Sequence, residues 1–412
     1  MIPEVYNIVY RNCYNKGRFS MKKLLAVVLS VVMVFSVASV GFAGNTGSTE
    51  LKFNSDGKFK ILVLADVQTD YPLQKDMVFF MEEAIRASEP DLVIFTGDNV
   101  NNPDKRTYAD MLAPCIEAGV PYTMVLGNHD QENSGGMTRA EIVAEYQKYE
   151  GFLGYDADPS LHGAGTHNLP ILSSDGSKAA FNLWMFDCGD YVRASDGEWL
   201  GYDWVRADQI EWYNKVRNEM TAANGGKVVP SLVFQHIIPQ EPCEKIFLPS
   251  EIKLGEATMN FQDGSIYSFI PDMTQYEGYL FERCCPSYGN DGQWDAMVAG
   301  GDVLGMVCGH DHINGFIANC NGIALLMTPG CTYDSYYDNF IQGARVIELD
   351  ETKPTEYSTY LLTANELAQN PESNLGHHGG DRNEFSYTFN YYFEKIFGFL
   401  LDIIRDMFAG II

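Results

Sequence analysis

Five apolar segments of this 412-residue chain each end in aspartate, histidine, asparagine or glutamine, and this repetition restricts the fold more than any other feature. Segments with helical spacing, residues 75–87 and 108–118, separate the first three of them. Buried strands that alternate with helices predict a parallel α/β sheet, in which polar groups gather at the carboxyl ends of the strands. The five segments and the polar residues that follow them are 59–64 with Asp66 and Gln68, 91–95 with Asp98, 122–126 with Asn128, His129 and Asp130, 228–234 with His236, and 302–308 with His310 and His312.

Further apolar runs at residues 181–186, 323–327 and 344–349 predict more strands, and the spacing of residues 204–220 predicts a helix with Asp203 as its N-cap. We expect an α/β fold of two facing mixed β-sheets flanked by helices. This arrangement brings the strand ends of both halves of the chain together.

The spacing of the polar residues indicates a metal site. Residues two apart on an extended segment point the same way, so Asp66 and Gln68 can face one site, as can His310 and His312. Asp98 follows a glycine, which lets backbone approach closely. Oxygen and imidazole donors from five segments would form two adjacent divalent-metal sites, and metals about 3.5–4 Å apart can clamp a phosphoryl oxygen.

These motifs resemble a known family. Asp-x-Gln, Gly-Asp-Asn, Gly-Asn-His-Asp, a lone His and Gly-His-x-His, in this order, resemble the calcineurin-like metallophosphoesterase superfamily over roughly residues 58–350. The segments 127–132, 186–191, 202–204, 284–286 and 301–303 resemble its compact purple-acid-phosphatase-like branch. The resemblance implies the four-layer sandwich of that superfamily.

The resemblance also implies roles for the polar residues. One metal would be held by Asp66, Gln68, Asp98 and His312, and a second by Asp98, Asn128, His236 and His310, with Asp98 bridging. His129, oriented by Asp130, would act as general acid toward the leaving oxygen, while metal-bound hydroxide attacks the phosphorus. The implied activity is hydrolysis of phosphate monoesters, with diesters as a further class, and the implied cofactors are two divalent ions drawn from Mn, Fe, Zn, Mg and Ca.

Two positions depart from the family pattern. Gln68 stands where the commonest pattern has His, and a neutral amide oxygen favours manganese, magnesium or calcium over zinc. A structural or hydrogen-bonding role for this amide is the alternative. Asn101 stands where purple acid phosphatases carry a metal-binding Tyr, so the resemblance does not imply their tyrosinate–iron(III) colour.

Both ends of the chain lie outside the predicted domain, which spans residues 58–364. Residues 1–43 are predicted to be an upstream extension and a signal peptide that starts at Met21 and is cleaved after Ala43, with a membrane anchor as the alternative. Residues 44–57 are a short linker. Residues 365–412 are a linker and an amphipathic helix, at 391–412, that docks on the core, lies on a membrane surface or self-associates.

The charge and cysteine content restrict the partners. With 55 Asp+Glu against 28 Lys+Arg the net charge is −27, which disfavours nucleic acid and leaves small phosphate esters as expected substrates. The nine cysteines show no zinc-binding spacing, and their pairing stays open. We expect a secreted or cell-surface protein, with a catalytically weak, surface-attached binding protein as the alternative function.

Two further groups of residues lie outside the metal motifs. Residues 239–298 would form a lid or substrate wall, with Tyr267, Phe269, Tyr276 and Tyr279 lining the mouth or packing in the core. The histidines outside the metal motifs are expected at the surface. They are His162, His167, His377 and His378.

Overall fold

A computed structural model of the chain describes residues 50–102, 104–132, 136–249, 258–262, 265–271, 276–370 and 373–375. The predicted signal peptide, the predicted C-terminal helix, His377 and His378 lie outside the described residues. Within these ranges, no helix is both long enough and apolar enough to cross a membrane.

The described elements alternate along the chain much as the sequence predicts. The strands are β1 (Lys58–Leu64), β2 (Leu92–Thr96), β3 (Tyr122–Val125), β4 (His167–Leu172), β5 (Ala179–Met185), β6 (Tyr191–Arg193), β7 (Trp199–Tyr202), β8 (Ser231–Phe234), β9 (Phe247–Pro249), β10 (Thr258–Asn260), β11 (Ile266–Pro271), β12 (Tyr276–Leu280), β13 (Val303–Cys308), β14 (Asn314–Cys320), β15 (Ile323–Met327), β16 (Gly343–Asp350) and β17 (Tyr357–Thr363). The helices are α1 (Lys75–Ser88), α2 (Lys105–Ala118), α3 (Arg139–Tyr146), α4 (Ala207–Ala223), α5 (Gln240–Ile246), α6 (Gln293–Gly300) and α7 (Ala364–Ala368).

Two large mixed sheets form the centre of the fold. The first has the order β17-β16-β1-β2-β3, with β1, β2 and β3 parallel. The second has the order β12-β14-β15-β13-β8-β5-β4, with β15, β13, β8 and β5 parallel. The parallel strands of each sheet therefore end at a common edge.

Alternation along the strands builds four layers. Ile61 and Val63 of β1 share a core with Leu232 of β8 and Val307 of β13, whereas Leu62 packs with the residues of α1 and α2. The opposite face of the second sheet packs on α4 and α6. Side chains of successive strand residues point to opposite faces, so each sheet is buried on both sides. The predicted α/β fold of two facing sheets flanked by helices is confirmed.

Local capping sets the start of α4 later than expected. The helix begins at Ala207 with Arg206 as the N-cap residue, so Asp203 is not the N-cap. Instead, the Asp203 carboxylate accepts from the Trp204 backbone N–H at 2.8 Å and lies 2.9 Å from His162 Nε2. Because the Asp203 carboxylate makes these contacts outside the helix, it does not cap the helix.

The segment at 239–298 is structured in its described part. It contains α5, the three-stranded sheet β10-β11-β9, β12 and α6. Met259 and Phe261 pack within the core between the second sheet and its helices, and Tyr267 packs against the same cluster. Core packing, one of the two expected roles of its aromatic residues, therefore applies to Tyr267.

The eight cysteines in the described residues are unpaired thiols. Seven of them are buried, and burial raises the pKa of Cys115 and Cys188 to about 12. A thiol held neutral in apolar surroundings packs as a small hydrophobic group. The hydrophobic core thus holds these cysteines without disulfide bonds.

His167 is buried in β4, so the expectation that it lies in a surface loop is wrong. Its Nδ1–H donates to the Gly165 carbonyl at 2.7 Å, and its Nε2 accepts from the Thr123 hydroxyl at 2.8 Å. Burial lowers the pKa of His167 to about 4, against a usual value of 6.5. The imidazole is therefore neutral in the fold at pH values where the unfolded chain would protonate it.

This histidine is expected to make the fold acid-sensitive. A depressed histidine pKa contributes stability that is complete above pH 6.5 and is lost as the pH falls toward 4, by about 3 kcal/mol in total. Urea unfolding at pH 7 and pH 4 should show a smaller pH-dependent loss in the His167→Gln variant than in the wild type. An equal loss in both proteins would show that His167 is not the acid-sensitive group.

Candidate metal centre

The five predicted strand ends meet at one place. Asp66 and Gln68 follow β1, Asp98 follows β2, Asn128 and His129 follow β3, His236 follows β8, and His310 and His312 follow β13. His236 Nε2 lies 3.0 Å from Asp98 Oδ2 and 3.9 Å from Asp66 Oδ1. His312 Nε2 lies 3.5 Å from Asp66 Oδ1. Ligand atoms of Asp98, His236 and His310 all lie within 4.8 Å of one another.

Backbone strain is concentrated at these same residues. Six non-glycine residues in the described ranges have positive φ, and four of them are predicted metal ligands: Asp66 at 50°, Gln68 at 40°, Asp98 at 49° and His310 at 76°. The left-handed region costs about 1–3 kcal/mol for such residues and persists where the surrounding structure enforces it. Strain of this kind in four residues at three strand ends is typical of a functional site.

Glycines permit the close approach of these segments. A Cβ on Gly97, which has φ of 86°, would lie 2.5 Å from His236 Nδ1. A Cβ on Gly127 would lie 2.1 Å from Asp98 Oδ1. Both distances are too short for real atoms, so the glycines of Gly-Asp-Asn and Gly-Asn-His-Asp are required by packing.

Backbone carbonyls orient two of the histidines. His236 Nδ1 lies 2.9 Å from the Thr96 carbonyl oxygen, and His312 Nδ1 lies 2.7 Å from that of Tyr336. A carbonyl can only accept, so each Nδ1 carries a hydrogen and each Nε2 faces the site. Metal-binding histidines are usually fixed in this way.

The donor set fits divalent cations. His236 Nε2, His310 Nε2 and Asn128 Oδ1 are buried without an aligned hydrogen-bond partner in the structure. Buried polar atoms rarely lack partners, so these three atoms are positioned to coordinate a cation. Two carboxylates, three imidazoles and an amide oxygen suit Mn, Fe, Zn and related ions.

The electrostatics of the site favour a bound cation. Burial raises the pKa of Asp66 well above its usual value. Burial also acts to raise the pKa of Asp98, but the adjacent His236 more than offsets it, and the pKa of Asp98 lies below its usual value. Burial opposes protonation of His236, yet Asp98 raises its pKa to about 9. A cation between these groups would satisfy both carboxylates.

Gln68 faces the site through its amide nitrogen, which lies 3.5 Å from Asp98 Oδ2. Its oxygen becomes a metal ligand only if the amide group rotates by about 180°. Asn101, which replaces the family tyrosine, donates from Nδ2 to the backbone carbonyl of Gln68 at 2.8 Å. The structure therefore gives Gln68 a hydrogen-bonding contact with the carboxylate expected to bridge the metals.

His129 stands at the edge of the site with 39% of its side chain exposed. Its backbone N–H donates to Asp98 Oδ1 at 2.7 Å, and its Nδ1 contacts the Glu132 carboxylate. The Asp130 carboxylate instead accepts from the backbone N–H groups of Gly127 and Asn99, at 2.7 and 2.9 Å. The expectation that Asp130 orients His129 is wrong, because these backbone donors hold Asp130 beneath the loop.

Three tyrosines that the sequence analysis did not assign to the site contact its residues. Tyr191 OH lies 2.9 Å from Asn128 Nδ2, and the Tyr202 ring lies edge-to-face against His310 with centroids 4.3 Å apart. The Tyr336 ring stacks on His312 at 4.1 Å. Tyr191 and Tyr202 belong to the branch motifs at 186–191 and 202–204, which were the available signal. No motif pointed to Tyr336.

A buried ion pair supports the loop that carries Asn128 and His129. Arg139 Nε donates to Asp187 Oδ2 at 2.8 Å, and Arg139 Nη1 donates to the Gly127 carbonyl at 2.9 Å. Asp187 also accepts from the Ala164 backbone N–H at 2.7 Å. This pair ties the end of β3 to the segment after β5, so the two sheets fix each other's strand ends.

A family model and relatives from a plant and a yeast match this chain. Residues 59–314, more than half of the chain, match the family model described as Calcineurin-like phosphoesterase. The Arabidopsis thaliana protein named "Probable inactive purple acid phosphatase 14" is 29% identical over 370 residues, covering 81% of this chain and 85% of that protein. "Probable inactive purple acid phosphatase 29" of the same plant is 28% identical, covering 74% and 80%. "Phosphatase DCR2" of Saccharomyces cerevisiae is 27% identical, covering 66% of this chain and 47% of its own length. This chain belongs to the calcineurin-like phosphoesterase family.

Proposed function

We propose that this protein is an exported, dinuclear metal-dependent phosphoesterase that hydrolyses phosphate monoesters, with diesters as a further class. The observation that carries the proposal is the meeting of two buried carboxylates and three buried imidazoles at strand ends, where three of these five residues have positive φ. Export rests on the predicted signal peptide alone.

The residues divide between holding cations and handling a proton. Asp66, Asp98, Asn128, His236, His310 and His312 would hold two divalent cations, with Gln68 as a further ligand if its amide turns over. Such cations supply Lewis-acid charge to phosphoryl oxygens and lower the pKa of a nearby water.

His129 is suited to the departing alcohol. A water oxygen forms the new P–O bond and releases a proton to solvent as the ester P–O bond breaks. The departing alkoxide takes a proton from His129 Nε2, which solvent then restores. Glu132 accepts from Nδ1, which keeps the imidazole aimed through Nε2. The backbone hydrogen bond from His129 to Asp98 fixes the ring beside the centre.

A metal-dependence experiment tests this function. Purified protein, stripped with EDTA and reloaded with Mn²⁺, is expected to bind two equivalents of metal and to hydrolyse p-nitrophenyl phosphate, while the stripped protein is inactive. Elemental analysis and initial rates give the two readouts. Metal-loaded protein that hydrolyses none of a panel of monoesters and diesters would contradict the proposed phosphoesterase activity.

The second candidate is a binding protein that retains the fold with weak catalysis. The contact of the Gln68 amide nitrogen with Asp98 favours it, and two of the similar plant proteins are named inactive. Such a protein should contain no stoichiometric metal as purified. Two equivalents together with turnover would rule it out.

A further inference from the structure

A two-stranded hairpin of β6 and β7 lies beside the metal centre. Tyr191 pairs with Tyr202, and Arg193 pairs with Trp199, with a register shift between Val192 and Arg193. The Trp199 ring contacts the Tyr202 ring, which contacts the Tyr191 ring, and the Arg193 guanidinium lies near the Tyr191 ring. Through these contacts the four side chains form one surface, here called the hairpin face.

The inner end of the hairpin face contacts predicted metal ligands. Tyr191 OH is hydrogen-bonded to Asn128, and the Tyr202 ring packs against His310. The two tyrosine rings lie 5.8 Å apart. A substrate whose phosphate is at the centre would therefore meet aromatic rings on this side.

The outer end of the hairpin face is exposed to solvent. Trp199 is 50% exposed and lies edge-to-face against Tyr202 at 5.7 Å. Arg193, also exposed, has its guanidinium carbon 5.9 Å from the centre of the Tyr191 ring.

The hairpin is fixed in place from behind. The Tyr288 backbone N–H donates to the Tyr202 carbonyl at 2.8 Å. A Cβ on Gly201 would lie 2.6 Å from Tyr288 Cβ, so only glycine permits this contact. The hairpin face is thus pre-organised, which reduces the ordering that binding would require.

We propose that the hairpin face is a subsite for an aromatic ring on the alcohol of the substrate, so that the substrate class is aryl-bearing phosphate monoesters. The ring packs against Trp199 beyond Tyr202, while the anionic phosphate lies at the metal centre. Aromatic pairs are stabilised by their ring electrostatics beyond simple burial, which an aliphatic ring cannot match. The part of this inference that concerns hydrolysis rests on the proposed function.

The test compares benzyl and cyclohexylmethyl compounds, which have the same number of ring carbons and the same type of leaving group and differ in aromaticity. Kd values for benzylphosphonate and cyclohexylmethylphosphonate, which cannot be hydrolysed, are measured by calorimetry on Mn²⁺-loaded protein. We expect the wild type to prefer the benzyl compound by about tenfold, a stacking contribution of ordinary size. Trp199→Ala should lose this preference and Trp199→Phe should keep part of it. Tyr360→Ala, at an exposed aromatic residue on β17, is the matched control and should keep all of it.

Rates with the corresponding phosphates provide the second readout. Trp199→Ala should raise KM for benzyl phosphate about tenfold more than KM for cyclohexylmethyl phosphate, which loses only apolar contact, with little change in kcat for either ester. An active enzyme whose Kd values do not depend on Trp199 overturns the subsite and leaves the proposed function standing. A Trp199-dependent benzylphosphonate preference without turnover supports the subsite and overturns the function.

Discussion

The Asp98→Asn variant is expected to lose at least about 10³-fold in kcat/KM. The substitution is nearly isosteric, and its carbonyl oxygen can still accept the His129 backbone N–H. It removes the negative charge that lies 3.0 Å from His236 Nε2 and that would bridge two cations. Cations at such sites supply several kcal/mol to the reaction, and each 1.4 kcal/mol is about tenfold in rate.

The measurements are kcat/KM in excess Mn²⁺ and metal content by elemental analysis. Asp302→Asn is the matched control, because Asp302 is a buried carboxylate just before β13, at the opposite end of that strand from His310. Asp302 accepts from Ser231 and Trp184, at 2.7 and 3.2 Å, so its replacement should reduce stability but not metal content. An Asp98→Asn protein with two metal equivalents and wild-type turnover would exclude the bridging role.

The His129→Ala variant is expected to lose about 10²–10⁴-fold in kcat on alkyl phosphates and far less on p-nitrophenyl phosphate. An alkoxide departs poorly without a proton, whereas nitrophenolate departs well without one. Glu132→Gln should show the same dependence on the leaving group with a smaller loss, about tenfold on alkyl phosphates, since the contact is partly exposed. The measurement is kcat across a series of esters graded by the pKa of the alcohol.

The Asp130→Asn variant distinguishes a residue that positions the His129 imidazole from one that only stabilises the loop. Asp130 receives backbone N–H groups rather than the His129 imidazole, so its replacement should lower stability and slow all esters alike. If Asp130→Asn showed the leaving-group dependence and Glu132→Gln did not, the assignment of Glu132 to His129 would be wrong.

The contacts that stabilise this fold lie apart from the residues expected to bind the metals. The neutral His167 and the Arg139–Asp187 pair lie behind the strand ends and hold the sheets together. Breaking a buried ion pair of this kind costs about 3–5 kcal/mol, because one charge is left buried without its partner. The strained ligand residues are thus held by contacts outside the metal centre.

The sequence by itself determined the sheet architecture and the positions of the strand ends. Apolar periodicity and turn residues act over a few neighbours, so β1, β2, β3, β8 and β13 and the polar residues after them could be read along the chain. The Gly-Asp and Gly-Asn-His segments were recognisable for the same reason, since glycine before a ligand is a local requirement. The fold class and family followed from these short segments.

Only the tertiary structure decided which side chains support the predicted ligands. Glu132, and not the adjacent Asp130, holds His129, because the N–H groups of Asn99 and Val100, some thirty residues away, capture the Asp130 carboxylate. His167 is buried because β4 pairs with β5 and because Thr123 of β3 faces its ring. Tyr202 and Tyr336 reach His310 and His312 from distant segments. Such contacts depend on how the sheets and loops pack, and no local pattern in the chain encodes that packing.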